Sequence, residues 1–358
     1  MNILDYLVAY QDVSFKQSPF NELDALALTA LSYFPFDKLG MKKDVLSTKN
    51  MKKLLAIYQI PEGTSERHYN YYRILVTLLT SKRYAKAKYG YYRKARDKAE
   101  EKQFQAVTII LPKLVFLSFG GTDGTLTGWK EDFNMAYLEI VPAEVEAIKY
   151  AEMVAKKFFI RKFVFGGHSK GGRIAVTAAK KFYKKKKLVG IYAFDAPNYP
   201  RSFYDDTYRL ISPKIHAYVP PESIIGRLMI MDEEKTIIAS DKTLLYQHDI
   251  FNWLIEDNAF IKEQLYSERS TKIVDFINEA FLSYDTHYKQ VFVDALFNML
   301  EKLLNENLPN DNEFVSYFKN KFSMIVQSWR DTPKEGREAM RKILFSIGKE
   351  YLMYKLKK

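Results

Sequence analysis

The chain has 358 residues, 47 % of them hydrophobic, and a net charge of +12. That is apolar enough to build a core, so general disorder is excluded, and a basic balance points to solubility or to an anionic surface or substrate. It has no cysteine, which excludes disulfides, thiol catalysis and cysteine-ligated metal. No apolar run approaches a membrane span and the start, MNILDYLVAY, has no basic leader, so a cytoplasmic protein is expected.

In chain order, Asn21 is a credible N-cap with Asp24 at the third helical position, predicting a helix that runs through Ala27, Leu28 and Leu31. Residues 44 to 80 also read as helical, with a break at Pro61-Glu62-Gly63. The most basic stretch is Ser81 to Lys102, where lysines and arginines interleave with Tyr84, Tyr89, Tyr91 and Tyr92. Its simplest reading is a solvated, partly helical connection. Basic-plus-aromatic composition can also meet nucleic acid or an anionic surface, but no nucleic-acid fold signature accompanies it.

From Phe104 the pattern becomes β-like. Phe104 to Leu111 and Leu114 to Phe119 flank Pro112-Lys113 as a hairpin, ending in Gly120-Gly121-Thr122-Asp123-Gly124. A helix with Trp129, Phe133, Ala136 and Tyr137 follows, and Pro142 opens another, striped by Val145, Ile148, Ala151, Ala155 and Phe158. Next come Phe163-Val164-Phe165, the turn Gly166-Gly167-His168-Ser169-Lys170-Gly171-Gly172, and a helical pattern through Ile174, Ala178 and Phe182. Gly167, Ser169 and Gly171 form G-x-S-x-G in its required strand–turn–helix context. Such a turn forces the serine into a strained conformation and presents its hydroxyl at a helix N-terminus, where a developing oxyanion is favoured. Ser169 is therefore the candidate nucleophile. The Thr122 N–H, on a glycine-rich loop at the end of an earlier strand, is the candidate oxyanion donor.

After the run Lys184 to Lys187, read as a solvated helix end, a strand Leu188 to Phe194 ends on Asp195. Lys214 to Val219 is another, closed by Pro220-Pro221-Glu222; Thr236 to Ala239 and Leu244 to Tyr246 are shorter β-like pieces. A helix is expected over Ile250 to Ile255, and helices throughout beyond it, the last of them packing its apolar stripe on its own domain. A nucleophile of this type needs a base and an acid downstream. His68 precedes the serine, His168 neighbours it and is expected to point elsewhere, His216 lies within a strand run and His287 within the helical tail. That leaves His248, in a loop, as base. Asp195 and Glu222 both follow strands. Asp195 is preferred because a short carboxylate at a sheet edge is held rigidly; Glu222 is the alternative acid.

The runs FGGTDGTLTGWKEDF, GGHSKGG, FDAPN, YVPPESIIG and QHD, with the early FNELDALALTALSY, resemble the Mbeg1-like family, lipase-like members of the α/β-hydrolase superfamily whose function is unknown. More distantly the chain is similar to class three lipases, through Gly120-Gly121-Thr122 and the segment Trp129 to Asp132. The resemblance implies Ser169 as nucleophile, His248 as base, and the N–H groups of Thr122 and Lys170 as the oxyanion hole. The chain departs from the lipases at two places: Gly120 stands where an arginine is usual, and Lys170 where leucine is common.

The expectation is an α/β-hydrolase fold, a mostly parallel sheet flanked by helices. A helical segment over 1–103 and another over 256–358 would pack on a core at 104–255. The expected activity is serine ester hydrolysis of a small-molecule ester or lipid, without cofactor or metal. The rivals are a catalytically silent binding or scaffold protein and a factor associated with an anionic membrane surface; nucleic acid is not the expected partner.

Overall fold

The structure, a computed structural model, describes residues 1–41, 45–183, 185–232, 234–304 and 321–356, with backbone alone at 322 and 346–356. Lys184 lies outside the described residues, as do the side chains of the last helix beyond Phe345.

The elements are α1 (Ile3–Ala9), α2 (Glu22–Ala30), β1 (Leu46–Ser47), α3 (Thr48–Leu55), α4 (Glu66–Thr80), β2 (Lys88–Asp97), β3 (Lys102–Ile110) and β4 (Leu114–Phe119). Then come α5 (Leu126–Asn134), α6 (Pro142–Lys157), β5 (Lys162–His168), α7 (Lys170–Lys181), β6 (Leu188–Phe194), α8 (Asp206–Arg209), β7 (Ile215–Val219) and β8 (Thr236–Ile237). Last are β9 (Ile255–Glu256), β10 (Ala259–Phe260), α9 (Glu268–Leu282), α10 (Thr286–Leu303), α11 (Phe322–Asp331) and α12 (Lys334–Leu356).

The eight strands β1 to β8 lie side by side in sequence order. β1 to β4 pair antiparallel and β4 to β8 parallel. Parallel strands need crossovers, and α6 and α7 supply them on one face, while α2, ahead of the sheet in sequence, covers the other, so the sheet is buried on both sides. On one face α6 and α7 enclose Phe163, Phe165, Ile174 and Ile191; on the other α2 covers Phe116, Val164 and Phe194. This is an α/β-hydrolase-like fold. The Asn21 cap is as expected: its side chain accepts from the Leu23 and Asp24 N–H groups while Asp24 accepts from the Asn21 N–H.

Several sequence expectations are corrected. The sheet starts well ahead of Phe104: β1 interrupts the stretch expected to be helical, and β2 occupies the basic stretch, with Tyr89 and Tyr92 buried and the charges outward. A register shift between Gly90 and Arg93, with Tyr91 at φ 53°, interrupts the alternation that would have revealed the strand. Leu244 to Tyr246 is not a strand but the start of a 3₁₀ turn, Leu244–His248. Another 3₁₀ turn, Ile250–Asn252, replaces the helix expected there, and the β9–β10 hairpin intervenes before helices resume at Glu268. The terminal helix does pack inward: Ala339, Met340 and Ile343 are buried, and the helix lies against α10 and α9.

Not all of the basic stretch is solvated. Arg83 is buried and pairs with Asp24 at 2.5 Å, and Tyr84 donates to the same carboxylate at 2.5 Å. Its guanidinium also donates to the Val13 and Ser18 carbonyls at 2.9 and 3.0 Å, tying the amino-terminal coil to α2. Removing one member of a buried pair strands the other charge in a low dielectric. Arg83→Gln is therefore expected to lower unfolding free energy by about 3–5 kcal/mol, whereas Lys86→Gln, at an exposed site, should leave it nearly unchanged. Urea unfolding of the two variants makes the comparison, and equal midpoints would contradict it.

Candidate active site

The elbow is built as its glycines require. A Cβ at Gly167 would fall 2.0 Å from the Gly171 carbonyl oxygen, and one at Gly171 would fall 2.2 Å from that of Phe119. Only glycine lets strand, turn and helix approach so closely. Ser169 sits between them with φ 57° and ψ −134°, a strained geometry for a non-glycine residue. Its N–H donates to the Phe194 carbonyl at 2.9 Å, which fixes the turn against β6. The residue is half-buried.

One residue beyond Phe194, Asp195 also takes a positive φ, 45°, and its N–H donates to the Tyr218 carbonyl at 2.8 Å. The carboxylate is 1 % exposed. Oδ2 lies 2.6 Å from His248 Nδ1, and Oδ1 accepts the Ser223 hydroxyl at 2.5 Å. Ser223 Oγ in turn accepts the Gly226 N–H at 2.9 Å, which aims its proton at Asp195. A Cβ at Gly226 would lie 2.2 Å from Asp195 Oδ1, so that position has no room for a side chain. Glu222 is elsewhere occupied. Its Oε2 accepts the Leu244 N–H at 2.8 Å and its Oε1 the Ser267 hydroxyl at 3.1 Å, bracing the turn that carries His248 against the start of α9.

His168, set aside in the sequence, is part of this cluster. Its ring is buried, lies tilted 4.5 Å between centroids from that of His248, and its Nε2 lies 2.8 Å from the His248 carbonyl oxygen. A carbonyl only accepts, so Nε2 carries the proton and Nδ1 accepts the Tyr33 hydroxyl at 2.9 Å. Burial, reinforced by the neighbouring His248 ring, holds the His168 pKa well below the usual histidine range, so the ring is neutral. Tyr33 also lies against the Gly121 amide, joining the glycine loop to the elbow. Neither Tyr33 nor His168 was anticipated as a site residue. The signal for His168 was its place in the motif, and for Tyr33 there was none. His216 lies away on β7, exposed and stacked 4.8 Å from Tyr192, and His287 is exposed beside Glu335 at 3.2 Å.

β4 is in register with β5, Phe119 opposite Gly167, so the Gly120–Gly124 loop emerges beside the elbow. Thr122 Oγ1 donates to Asp132 Oδ2 at 2.5 Å. Lys170, the first residue of α7, turns its side chain under this loop. Its Nζ is 2.6 Å from Gln103 Oε1, 3.1 Å from Glu131 Oε2 and 3.5 Å from Asp132 Oδ1, almost wholly buried. Glu131 is held further by the N–H groups of Gln103 at 2.9 Å and Ala143 at 2.7 Å. Burial raises the pKa of both carboxyls, and Lys170 acts against that rise. The lysine that departs from the lipase pattern is thus a buried counter-ion beneath the loop and not a wall of a substrate pocket. Among the described residues, no cluster of histidine, aspartate and glutamate has the arrangement of a metal site.

An α/β-hydrolase-like sheet with a strained serine at its elbow defines the class. The chain belongs to the Mbeg1-like family, whose model matches residues 78–298. A search of curated proteins returns no match. Solved structures similar to it include a deletion variant of the Rhizomucor miehei lipase propeptide complex, 12 % identical, covering 66 % of this chain and 67 % of that one with a TM-score of 0.38. Another is the lipase from Rhizopus microsporus var. chinensis, 15 % identical, covering 67 % and 77 % with a TM-score of 0.36. Among the described residues no helix is long and apolar enough to cross a membrane.

Proposed function

We propose that the chain is a serine hydrolase cleaving carboxylic esters. Ser169 attacks the carbonyl carbon, His248 Nε2 takes the hydroxyl proton and returns it to the leaving alcohol, and Asp195 holds the imidazole through Nδ1. The N–H groups of Thr122 and Lys170 receive the oxyanion; the second is an unpaired donor of the first turn of α7, where the helix dipole favours negative charge. Water then resolves the acyl-enzyme by the same proton transfers in reverse. The observation that carries this reading is the 2.6 Å contact between His248 and a buried, doubly held Asp195, one residue beyond the strand end to which Ser169 is bonded. The basic composition and the half-buried serine fit a small anionic or lipid ester.

A fluorophosphonate probe tests the reading. The wild-type protein should label and hydrolyse a p-nitrophenyl ester. Ser169→Ala, folded by circular dichroism, should not label and should lose turnover by about six orders of magnitude, as when the nucleophile of a triad is removed. Equal labelling of the two proteins would instead make the chain a hydrolase-like scaffold.

A further inference from the structure

We propose that the edge of the sheet opposite the elbow docks on an anionic lipid bilayer. The register of the parallel strands brings their first residues together there. Lys162 opens β5 beside Leu114 of β4, Leu188 of β6 is opposite Phe163, and Lys113 lies in the turn before β4. Lys186 and Lys187 precede β6, and Lys214, before β7, donates to the Lys185 carbonyl at 2.7 Å. Lys156 and Lys157 end α6 just above β5. Lys113, Lys156, Lys157, Lys162, Lys186 and Lys187 are all exposed, and none is ion-paired among the described residues. The sequence around them has no acidic residue from 153 to 162 or from 180 to 188. The acidic side chains of the segment leading to β7, Asp205 and Asp206, are engaged by Lys180 at 3.0 Å and Arg209 at 2.8 Å. Much of the net +12 is therefore gathered on one edge.

Two apolar side chains project from the same edge. Phe159 is 64 % and Ile160 71 % exposed, in the turn between α6 and β5. The turn is held outward. Phe158 packs back on Tyr91 at 5.9 Å between ring centres, and the Arg161 guanidinium donates to the Leu111 and Pro112 carbonyls. Lysines surrounding a rigid apolar tip match the two contributions of a membrane-docking surface, attraction to anionic headgroups and shallow insertion of side chains. Nucleic acid fits less well. Arg161, the arginine of this turn, spends its guanidinium on backbone carbonyls, and a lysine face lacks the planar fork that grips phosphates and guanines. The inference is independent of whether the elbow turns over.

Co-sedimentation of the full chain with phosphatidylcholine vesicles, with and without phosphatidylglycerol, tests it. Binding is expected with phosphatidylglycerol only and should fall as salt is raised. Changing Lys113, Lys162, Lys186 and Lys187 together to glutamine should weaken binding by roughly two to three orders of magnitude without altering melting temperature or turnover of a soluble ester. Phe159→Ser with Ile160→Ser should weaken it while leaving its salt dependence in place. Equal binding to both vesicle types, or none, would overturn the proposal. So would loss of binding on Leu245→Ser, near His248, with the lysine variant binding normally. Tighter lysine-dependent binding to single-stranded DNA than to the anionic vesicles would also overturn it, in favour of nucleic acid.

Discussion

Asp195→Asn is expected to lower ester turnover by about four orders of magnitude, and Glu222→Gln by less than about tenfold. In the wild-type protein Oδ2 accepts from His248 Nδ1, so the imidazole keeps its other nitrogen available as a base. An asparagine of the same shape still accepts the Ser223 hydroxyl at the Oδ1 position, because that hydroxyl is aimed by the Gly226 N–H. Its NH₂ group must then face His248 and donate to Nδ1, which puts the imidazole proton on the nitrogen that should receive the one from Ser169. The fold is kept and the tautomer is wrong. Glu222→Gln instead weakens acceptors for the Leu244 N–H and the Ser267 hydroxyl, which loosens the His248 turn without touching the ring. kcat/KM on one p-nitrophenyl ester, with melting temperatures for both variants, decides the matter. The reverse order in folded proteins would assign the acid to Glu222.

Lys170→Met should destabilise the fold by about 3–5 kcal/mol near neutral pH. The side chain fits, but Glu131 is left buried with a charge that only two backbone N–H groups offset, and Asp132 loses its cation as well. The deficit has a definite pH dependence. Burial already raises both carboxyl pKa values, and removing Lys170 removes an influence that lowers them. Carboxyls whose pKa is higher folded than unfolded bind more protons in the folded state, so stability falls as pH rises through that window. The loss should therefore be largest at about pH 8 and shrink towards about pH 5. Turnover should fall too, because Asp132 anchors the Thr122 hydroxyl. Urea unfolding across pH checks the first part; a deficit that grows on acidification would refute the ion-pair account.

What the sequence revealed depended on whether the cause was local. The elbow was legible because its strand, glycines and helix lie within twenty residues and each has a single steric reason. The cap at Asn21 was legible for the same reason. β2 was hidden because a bulge at Gly90 to Arg93 breaks the period of two and its outward face is so densely charged. Leu244, Leu245 and Tyr246 have β-forming side chains, but Leu244 takes φ 49° and the turn is held from outside, by Glu222 and by the Trp253 indole on the Gln247 carbonyl at 2.7 Å. His168 was set aside on its place beside the serine; what local reading lacks is its partner Tyr33, 135 residues earlier. Lys170 stood out only as a departure from the lipase pattern for a similar reason, since its carboxylates come from another helix.

The position of Tyr33 bears on where this protein can be cut. The interval by which the family is recognised starts at residue 78, but Tyr33, Asp24 and the whole of α2 lie upstream. An expression boundary placed at 78 would strip the cover from Phe116, Val164 and Phe194 and leave the Arg83 guanidinium without its carboxylate. It would also remove the phenol on which His168 rests. The stretch that supports the elbow from below thus reaches further upstream than the interval by which the family is recognised.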